Sequence, residues 1–343
     1  MNSGARKVVF WAGAAIGSML AVRQFVRARR SIQLRGRTAL ITGGSRGLGL
    51  VLARELAGRG VRLALCARDA DELERARRQL ADRGAEVIAV PCDVTSKEDV
   101  EAMVQLVLDR FGRIDILINN AGIIQVGPFE VMTIGDYEQA LRTHFWAPLY
   151  TTLAVLPGMR DRGAGRIVNV SSIGGKISVP HLLPYDISKF ALTGFSEGLR
   201  AELSKDGVYV TTVIPGLMRT GSPRNARFKG QHRAEYAWFS ISDSLPLLST
   251  SAEAAARRIV EACQHGDAEV ILTLPAQVAV RFNGLFPGLT ADLLGVANLI
   301  LPGPGGIGAR TASGRESMSA MSPSWVTTLT EQAAARNNEL LVE

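Results

Sequence analysis

Tyr185 and Lys189 are the residue pair with the clearest chemical potential in this chain of 343 residues. They stand four positions apart in a segment, 185–203, whose pattern predicts a helix, and residues i and i+4 share one helix face. A nearby ammonium favours the phenolate and lowers the pKa of a tyrosine from about 10. The pair therefore predicts a tyrosine that transfers a proton near neutral pH. Ser171 and Ser172 end the preceding predicted strand, where side chains reach the carboxyl edge of a sheet.

Three glycines, Gly43, Gly47 and Gly49, form a turn between an apolar run, 38–41, and a helical pattern. Glycine lets the backbone turn tightly and approach a pyrophosphate closely, and the helix N-terminus adds N–H donors and positive partial charge. A further strand pattern follows at 61–67 and completes a βαβ unit. In that context the turn predicts a dinucleotide phosphate site, with a turn needed only for packing as the alternative.

Arg68, at the end of the second predicted strand, indicates which dinucleotide binds. An acidic residue there would bind the ribose 2′-hydroxyl of NAD, whereas an arginine suits the 2′-phosphate of NADP. Asp69 is better explained as the N-cap of the next helix. Arg46 in the glycine turn offers a second guanidinium, and two arginines can hold a phosphate with charge-assisted hydrogen bonds. NADP(H) is therefore the predicted cofactor, with a solvated loop charge as the alternative role of Arg68.

Strand and helix patterns alternate along residues 36–275. The predicted strands are mostly apolar and lie at 38–41, 61–67, 86–90, 114–119, 166–170, 208–214 and 269–273. The predicted helices lie at 50–57, 72–83, 97–111, 133–159, 185–203 and 252–263, and Pro148 and Pro157 interrupt the fourth. This alternation indicates an α/β fold with a Rossmann-type, doubly wound parallel sheet of about seven strands and helices on both faces.

Six short motifs along 36–275 complete a resemblance to the short-chain dehydrogenase/reductase family. They are Thr42–Gly49, Cys92-Asp93-Val94, Asn119–Gly122, Val170-Ser171-Ser172, Tyr185–Lys189 and Pro215-Gly216. Their order and spacing are similar to those of the family, and the chain is identified as a member on this ground. The resemblance implies an NAD(P)-dependent oxidoreductase that acts on CH–OH or C=O groups.

The resemblance also implies roles for individual residues. Tyr185 would be the general acid in ketone reduction or the base in alcohol oxidation, and Lys189 would lower its pKa and hydrogen-bond the nicotinamide ribose. Ser172 would hydrogen-bond the substrate oxygen, with Ser171 as the second choice. The residues expected at the cofactor are Gly43, Ser45, Arg46, Gly47, Leu48, Gly49, Arg68, Asp93, Val94, Asn120, Ala121, Gly122, Tyr185, Lys189, Pro215, Gly216 and Thr220.

His144 departs from the family pattern. Many members carry an asparagine at this position of the long central helix, where it completes a tetrad and a water-mediated proton path to the lysine. A histidine could hold the water with a ring nitrogen, could relay a proton itself, or could lower activity. We predict His144 as a fourth catalytic residue, with a partly buried structural histidine as the alternative.

The positive charge of the chain is concentrated at its N-terminus. The formal net charge is +7, but residues 1–37 hold eight basic residues and no acid, which leaves 31 basic and 32 acidic residues in the other 306. This distribution argues against nucleic acid as a partner. Three scattered cysteines exclude a disulfide scaffold, and four histidines without metal-ligand spacing predict no metal site.

Residues 8–22 are uncharged and mostly apolar, with basic flanks. They can be a signal-peptide core, a membrane anchor or surface segment, or a packed N-terminal helix. A cleaved signal peptide is disfavoured because 23–30, rich in arginine, follows in place of a small-residue cleavage site. We expect segment 1–35 to form an apolar helix that associates with a membrane. The basic flank predicts that the catalytic domain, 36–275, faces the cytoplasm.

The regions that follow the predicted site suggest a lipophilic substrate. Segment 220–250 corresponds to the substrate lid of the family. Ligand pockets are usually lined by apolar side chains, and the apolar residues of this segment are Phe228, Tyr236, Trp238, Phe239, Leu245, Leu247 and Leu248. Packing on the sheet is the alternative. The C-terminal extension, 276–343, begins with an apolar stretch, 276–301, that could dock on a membrane, cover the lid or form a dimer contact. A Gly- and Ser-rich linker, 303–325, and a short helix, 327–341, are predicted to follow.

Together these observations predict a membrane-associated, NADPH-dependent reductase of a lipophilic ketone or aldehyde, which can also oxidise the corresponding alcohol. Candidate substrates are 3-oxoacyl chains, 3-keto sphingoid bases, steroids and retinoid-like aldehydes. A homo-oligomer, either a dimer or a tetramer, is expected. The alternative is a non-catalytic nucleotide-binding membrane scaffold or sensor. Ser172, Tyr185 and Lys189 argue against that alternative, and His144 is its best support.

Overall fold

The structure, a computed structural model, describes residues 3–245, 249–319, 322 and 327–339. Its strands are β1 Thr38–Thr42, β2 Arg62–Ala67, β3 Val87–Pro91, β4 Ile116–Asn119, β5 Gln125–Val126, β6 Gly165–Val170, β7 Val208–Ile214, β8 Leu217–Arg219, β9 Arg227–Phe228, β10 Ser249–Ser251, β11 Glu269–Ile271 and β12 Ala312–Ser313. Its helices are α1 Ser3–Arg30, α2 Gly47–Gly58, α3 Ala70–Ala81, α4 Lys97–Phe111, α5 Ile134–Leu141, α6 Ala147–Asp161, α7 Leu183–Leu203, α8 His232–Ser244, α9 Ala252–His265, α10 Leu274–Leu285, α11 Pro287–Asn298 and α12 Thr328–Arg336.

Seven strands form one sheet in the order β11-β7-β6-β4-β1-β2-β3. Every neighbouring pair in it is parallel. This arrangement confirms the predicted Rossmann-type parallel sheet of seven strands. The strand order reverses between β1 and β4, and open α/β sheets bind ligands in the crevice at the carboxyl ends of the strands at such a point.

Both faces of the sheet are buried, because successive side chains of an apolar strand point to opposite faces. In β1, Ala39 and Ile41 pack in one cluster with α2, α3 and α9. Leu40, between them, packs in a second cluster with α4 and α6. The sheet is therefore clamped between two helical layers, and the carboxyl ends of its strands are held in fixed positions.

The long central helix differs from its prediction in where it is interrupted. α5 ends at Leu141, and a π-helical turn, Arg142–Trp146, leads into α6. Pro148 lies in the first turn of α6, and Pro157 lies inside the continuous helix. The interruption is thus the π-helical turn, a feature often found at functional sites.

α1 is a single helix of 28 residues. Its last turn is fixed to the body of the protein, because Arg27 pairs with Glu261 and Asp267 at 3.1 and 2.9 Å. Among the side chains of α1 that the structure describes, the large apolar ones that are exposed are Trp11, Met19, Val22 and Phe25. Across the part of the chain that the structure describes, no helix combines the length and the apolar character needed to cross a membrane.

The C-terminal extension folds back on the catalytic domain. α10 and α11 are separated at Phe286, before Pro287, and expose Leu285, Leu293 and Val296. The predicted linker contains β12, which pairs antiparallel to β9 and extends a small sheet with β5. α12 ends at Arg336, earlier than the predicted helix, and residues 340 and 341 lie outside the described residues.

Candidate active site

The topology brings the predicted site residues to one edge of the sheet. The glycine turn follows β1, and Asn120–Gly122 follows β4, its neighbour. Ser171 and Ser172 follow β6, and Pro215 and Gly216 follow β7. Since the carboxyl ends of adjacent parallel strands meet, these motifs surround the crevice at which the strand order reverses.

The glycine turn has a shape that side chains would prevent. Gly43 has a φ of +64°, and an added Cβ there would lie 2.9 Å from the Cα of Ala121. An added Cβ on Gly49 would overlap the carbonyl oxygen of Gly43. The amide of Asn120 donates to the carbonyl oxygens of Thr42 and Gly43, each at 3.1 Å, and holds the turn against the loop after β4. The turn is therefore both tight and fixed.

The start of α2 accommodates anionic oxygens. The amide of Gly47 donates to the backbone oxygen of Asn337 at 2.9 Å, and the carboxylate of Glu339 lies 3.4 Å from Nε of Arg46. Gly47 has a φ of +54°, which favours glycine, and a Cβ there would lie 2.5 Å from that carboxylate. A pyrophosphate needs the same donors and the same space. The residues of this turn therefore fit a dinucleotide.

α7 places Tyr185 and Lys189 beside each other. Nζ of Lys189 lies 5.6 Å from the centre of the Tyr185 ring and donates to the carbonyl oxygen of Val170 at 2.9 Å. Burial lowers the pKa of Lys189 to about 7, and burial raises the pKa of Tyr185 to about 12. The expected lowering of the tyrosine pKa is therefore wrong for this arrangement. Loss of water around the phenol is the largest cause of the raised tyrosine pKa and outweighs the opposing hydrogen bond with Ser172.

The two serines have different surroundings. The hydroxyl of Ser171 donates to the carbonyl oxygen of Lys189 at 3.0 Å and contacts the Thr193 hydroxyl at 2.7 Å, which ties β6 to α7. The hydroxyl of Ser172 accepts from the amide of Gly174 at 3.0 Å and opposes the rise in the pKa of Tyr185. Ser172 is thus the serine beside the phenol, and Ser171 is bonded away from it.

The π-helical turn places His144 against Tyr185, with ring centres 5.4 Å apart. The amide of Ile123 donates to Nε2 at 3.1 Å, so Nδ1 carries the proton and donates it to the Ser188 hydroxyl at 2.7 Å. That hydroxyl donates to the carbonyl oxygen of Tyr185 at 2.6 Å. Burial and nearby Lys189 hold the pKa of His144 well below its usual value of 6.5. With both ring nitrogens bonded to protein, this geometry favours the structural alternative, and a catalytic His144 stays a prediction.

The model of the short chain dehydrogenase family matches residues 37–229, more than half of the chain. The match includes the glycine turn, Ser172, Tyr185 and Lys189. The chain belongs to the short-chain dehydrogenase/reductase family. It is accordingly an NAD(P)-dependent oxidoreductase that acts on CH–OH or C=O groups, and the resemblance seen in the sequence is confirmed.

Other members of the short-chain dehydrogenase/reductase family resemble this chain over most of its catalytic domain. A putative ketoacyl reductase of Streptomyces coelicolor is 37% identical over 191 residues, which are 55% of this chain and 73% of that protein. The crystal structure of an actinorhodin polyketide ketoreductase variant with NADPH is 30% identical, with a TM-score of 0.63, and covers 71% of this chain and 97% of that one. A family member from Burkholderia phymatum in complex with NAD is 25% identical, with a TM-score of 0.70, and covers 75% and 96%. Both dinucleotides therefore occur among similar structures.

The other predicted cofactor residues of this short-chain dehydrogenase/reductase differ in their surroundings. Arg68 is exposed just beyond β2, and its side chain makes no hydrogen bond or ion pair with any described residue. Asp93 accepts from the amide and hydroxyl of Thr95, and Val94 is buried after β3. Thr220 is buried beyond β8 and accepts from the amide of Ser222. The Arg68 side chain is thus free to bind a ligand, whereas the side chains of Asp93 and Thr220 already accept hydrogen bonds from their own loops.

Glu72 is a site residue that sequence reasoning missed. Its buried carboxylate accepts from the Ser45 hydroxyl and, at 2.9 Å, from Nη1 of Arg46. Asp69 is the N-cap of α3, as predicted, and accepts from the amide of Glu72 at 2.8 Å. An acid three residues after an N-cap matches the spacing of a capping box, but the Glu72 carboxylate bonds to the glycine turn and not back to the backbone of Asp69. That spacing is the signal that could have placed Glu72 near the glycine turn.

A second missed group joins the loop before Tyr185 to the lid. Nδ1 of His181 lies 2.8 Å from the carboxylate of Glu235 on α8, and the indole of Trp238 donates to the same carboxylate at 2.6 Å. His181 has a φ of +66°, a strained value for a residue other than glycine. The loop is therefore held to the lid at the cost of backbone strain, and no pattern in the sequence indicates this contact.

Proposed function

We propose that this enzyme is an NADPH-dependent reductase of a lipophilic ketone or aldehyde, with Tyr185 as the proton donor. The observation that carries the proposal is the convergence of Tyr185, Ser172 and Lys189 at the carboxyl edge of the sheet, beside a turn that fits a dinucleotide. The names of the similar proteins, a putative ketoacyl reductase and a polyketide ketoreductase, support reduction of a ketone.

The chemistry follows from the charge states of these side chains. When bound, the nicotinamide cofactor supplies a hydride to the carbonyl carbon. Tyr185, with a pKa of about 12, keeps its proton at neutral pH and is the acid that protonates the carbonyl oxygen. The hydroxyl of Ser172 stands beside the phenol and positions that oxygen. In its protonated form, Lys189 stabilises the phenolate that remains.

The proposal of NADP(H) over NAD(H) rests on the arginines near the turn. Arg68 is exposed and unpaired among the described residues, so it can bind a 2′-phosphate without breaking an ion pair. Arg46 lies nearby but already pairs with Glu72 and Glu339. The carboxylate of Glu72 lowers the positive charge available at this place and is the observation that favours NAD(H) as the second candidate.

Arg68→Ala is expected to lower kcat/KM for NADPH by about tenfold to hundredfold, the size of one lost charge-assisted hydrogen bond or two, and to leave kcat/KM for NADH unchanged. Arg83→Ala is the matched control, because Arg83 is exposed at the far end of α3 and its loss removes the same charge. Steady-state kinetics with both dinucleotides measure the effect. An equal loss with NADPH and NADH would contradict the proposed preference.

The lipophilic substrate is proposed from the apolar surroundings of Tyr185. A cluster that includes Val126, Leu182 and Phe228 packs against Tyr185 and the half-buried Trp238. Other lid residues from the sequence differ: Tyr236 is fully buried and packs in the same cluster, Leu245 is exposed, and Leu247 and Leu248 lie outside the described residues.

A series of 3-oxoacyl esters of increasing chain length, assayed by NADPH oxidation with the full chain, tests the proposal. Each buried methylene contributes about 0.8 kcal/mol, so kcat/KM is expected to rise about fourfold per added carbon until the site is full. The matching 3-hydroxy esters, assayed with NADP, are the control for direction. Equal rates for all chain lengths would contradict a lipophilic site.

We propose further that the enzyme associates with a membrane surface through α1, with the catalytic domain on the cytoplasmic side. The exposed Trp11, Met19 and Phe25 and the arginines at the end of the helix support this, since apolar and basic groups together bind anionic lipid surfaces. Co-sedimentation of the full chain with vesicles of anionic phospholipid is the measurement. A chain that stays in the supernatant would contradict the proposal.

A further inference from the structure

The C-terminal segment, 327–339, contacts the glycine turn, which lies near the other end of the sequence. α12 packs beside the lid, where the hydroxyls of Ser244 and Thr330 lie 2.7 Å apart and Arg224 pairs with Glu331. An added Cβ on Gly221 would lie 2.5 Å from the Cα of Ala334, so the helix lies directly on the backbone. α12 therefore covers the start of the lid, next to predicted cofactor residue Thr220.

Three residues beyond α12, which we name the C-terminal strap (337–339), lie against the glycine turn, 43–49, which we name the phosphate cradle. The carbonyl oxygen of Asn337 accepts the hydrogen bond from the amide of Gly47 at 2.9 Å. The side-chain amide of Asn338 donates to the carbonyl oxygens of Ser45 at 2.9 Å and of Glu72 at 3.2 Å. Glu339 is buried with its carboxylate against Gly47. The strap thus takes the backbone donor and the space that a phosphate would need.

Residues outside the glycine turn also hold the strap in place. Arg54 of α2 donates to the carbonyl oxygen of Arg336 at 2.7 Å and to the side chain of Asn337 at 3.0 Å. Asn225 donates to the carboxylate of Glu339. These contacts come from the helix behind the turn and from the lid, so the strap bridges the two sides of the crevice.

We propose that the C-terminal strap is an autoinhibitory element that occupies the phosphate cradle and must leave before the dinucleotide binds. The inference rests on the part of the proposed function that assigns the glycine turn to the cofactor. The amide of Gly47 points one hydrogen at the crevice, and a phosphate oxygen and the Asn337 carbonyl cannot both accept it. The carboxylate of Glu339, in its charged form, would also repel a pyrophosphate placed beside Gly47.

The charge on Glu339 makes the strap displaceable. Burial raises the pKa of Glu339 to about 7, although Arg46 and Arg315 lower it, because the carboxylate has lost its water and Glu72 lies nearby. Holding this group in its charged form is therefore costly at neutral pH. A dinucleotide with several phosphate oxygens competes for Arg46 and the turn against a weakly held occupant.

Full-length protein with Asn338→Ala and Glu339→Ala is compared with wild type in NADPH titrations followed by calorimetry. The apparent Kd is the intrinsic value divided by the open fraction, so a strap docked in about nine molecules of ten predicts about tenfold tighter binding in the variant. Gln332→Ala, on the exposed face of α12, is the control and leaves the Kd unchanged. Unchanged or weaker binding of NADPH by the double variant would contradict an autoinhibitory strap but would leave the assignment of the cofactor site unaffected. Failure of wild type and both variants to bind NADPH or NADH would contradict both the autoinhibitory strap and the cofactor site.

Amide hydrogen exchange separates displacement from a simple change in charge. In wild type, NADPH is expected to speed exchange at residues 329–339 and to slow it in the glycine turn, 43–49. A strap that becomes more protected when NADPH binds would instead be a cover over the cofactor, and the proposal would be wrong.

Discussion

Tyr185→Phe is expected to lower kcat for ketone reduction by at least about a hundredfold, the contribution of a positioned general acid. The substitution removes only the hydroxyl, and the ring remains in its edge contact with His144. Tyr185 is among the residues expected at the cofactor, but one lost neutral hydrogen bond costs only about 0.5–1.5 kcal/mol, so the Kd for NADPH is expected to rise by no more than about tenfold. Stopped-flow measurement of hydride transfer and a binding titration give the two quantities separately.

Tyr150→Phe is the matched control for this substitution. Tyr150 is half-buried on α6, packs against the core cluster that includes Leu156, and lies away from Ser172 and Lys189. Loss of its hydroxyl is expected to change kcat by less than about twofold. Turnover of Tyr185→Phe at the rate of wild type would mean that another group delivers the proton. Tight NADPH binding by wild type with no turnover of any carbonyl compound would instead favour the alternative of a non-catalytic nucleotide-binding scaffold or sensor.

Patterns local in sequence predict the framework of this site. The strands are recognisable because a parallel sheet buried on both faces needs apolar residues at most positions, as in β1 and β4. The glycine turn is recognisable because its shape excludes side chains. Tyr185 and Lys189 follow from helix periodicity alone.

What the sequence could not show depends on contacts between distant segments. The bond from Asn338 to Ser45 joins positions 293 residues apart, and no periodicity indicates it. The pKa of Tyr185 moved opposite to expectation because packing, which periodicity does not report, removes water from the phenol. Glu72 is an intermediate case, because the predicted N-cap Asp69 places it in the first turn of α3 but does not indicate its partner Arg46.

Gly49→Ala is expected to destabilise the protein by at least about 2 kcal/mol and to weaken NADPH binding more than tenfold. The new Cβ would overlap the carbonyl oxygen of Gly43 and lie 2.7 Å from the Asn120 amide nitrogen. The first of these is backbone, which cannot rotate away, so the turn must open and its donors must lose their alignment. Urea unfolding and calorimetric titration measure the two effects.

Gly58→Ala makes the same chemical change at the other end of the same helix, and its expected effect has the opposite sign. An added Cβ there meets no atom within 4 Å, and alanine is the better helix former by up to about 1 kcal/mol. The variant is therefore expected to be as stable as wild type or more so, with NADPH affinity unchanged. If both variants lost affinity alike, helix α2 as a whole, and not the tight approach at Gly49, would control the cradle. A loss confined to Gly49→Ala would show that the absence of a side chain at that one position is what lets the crevice hold a dinucleotide.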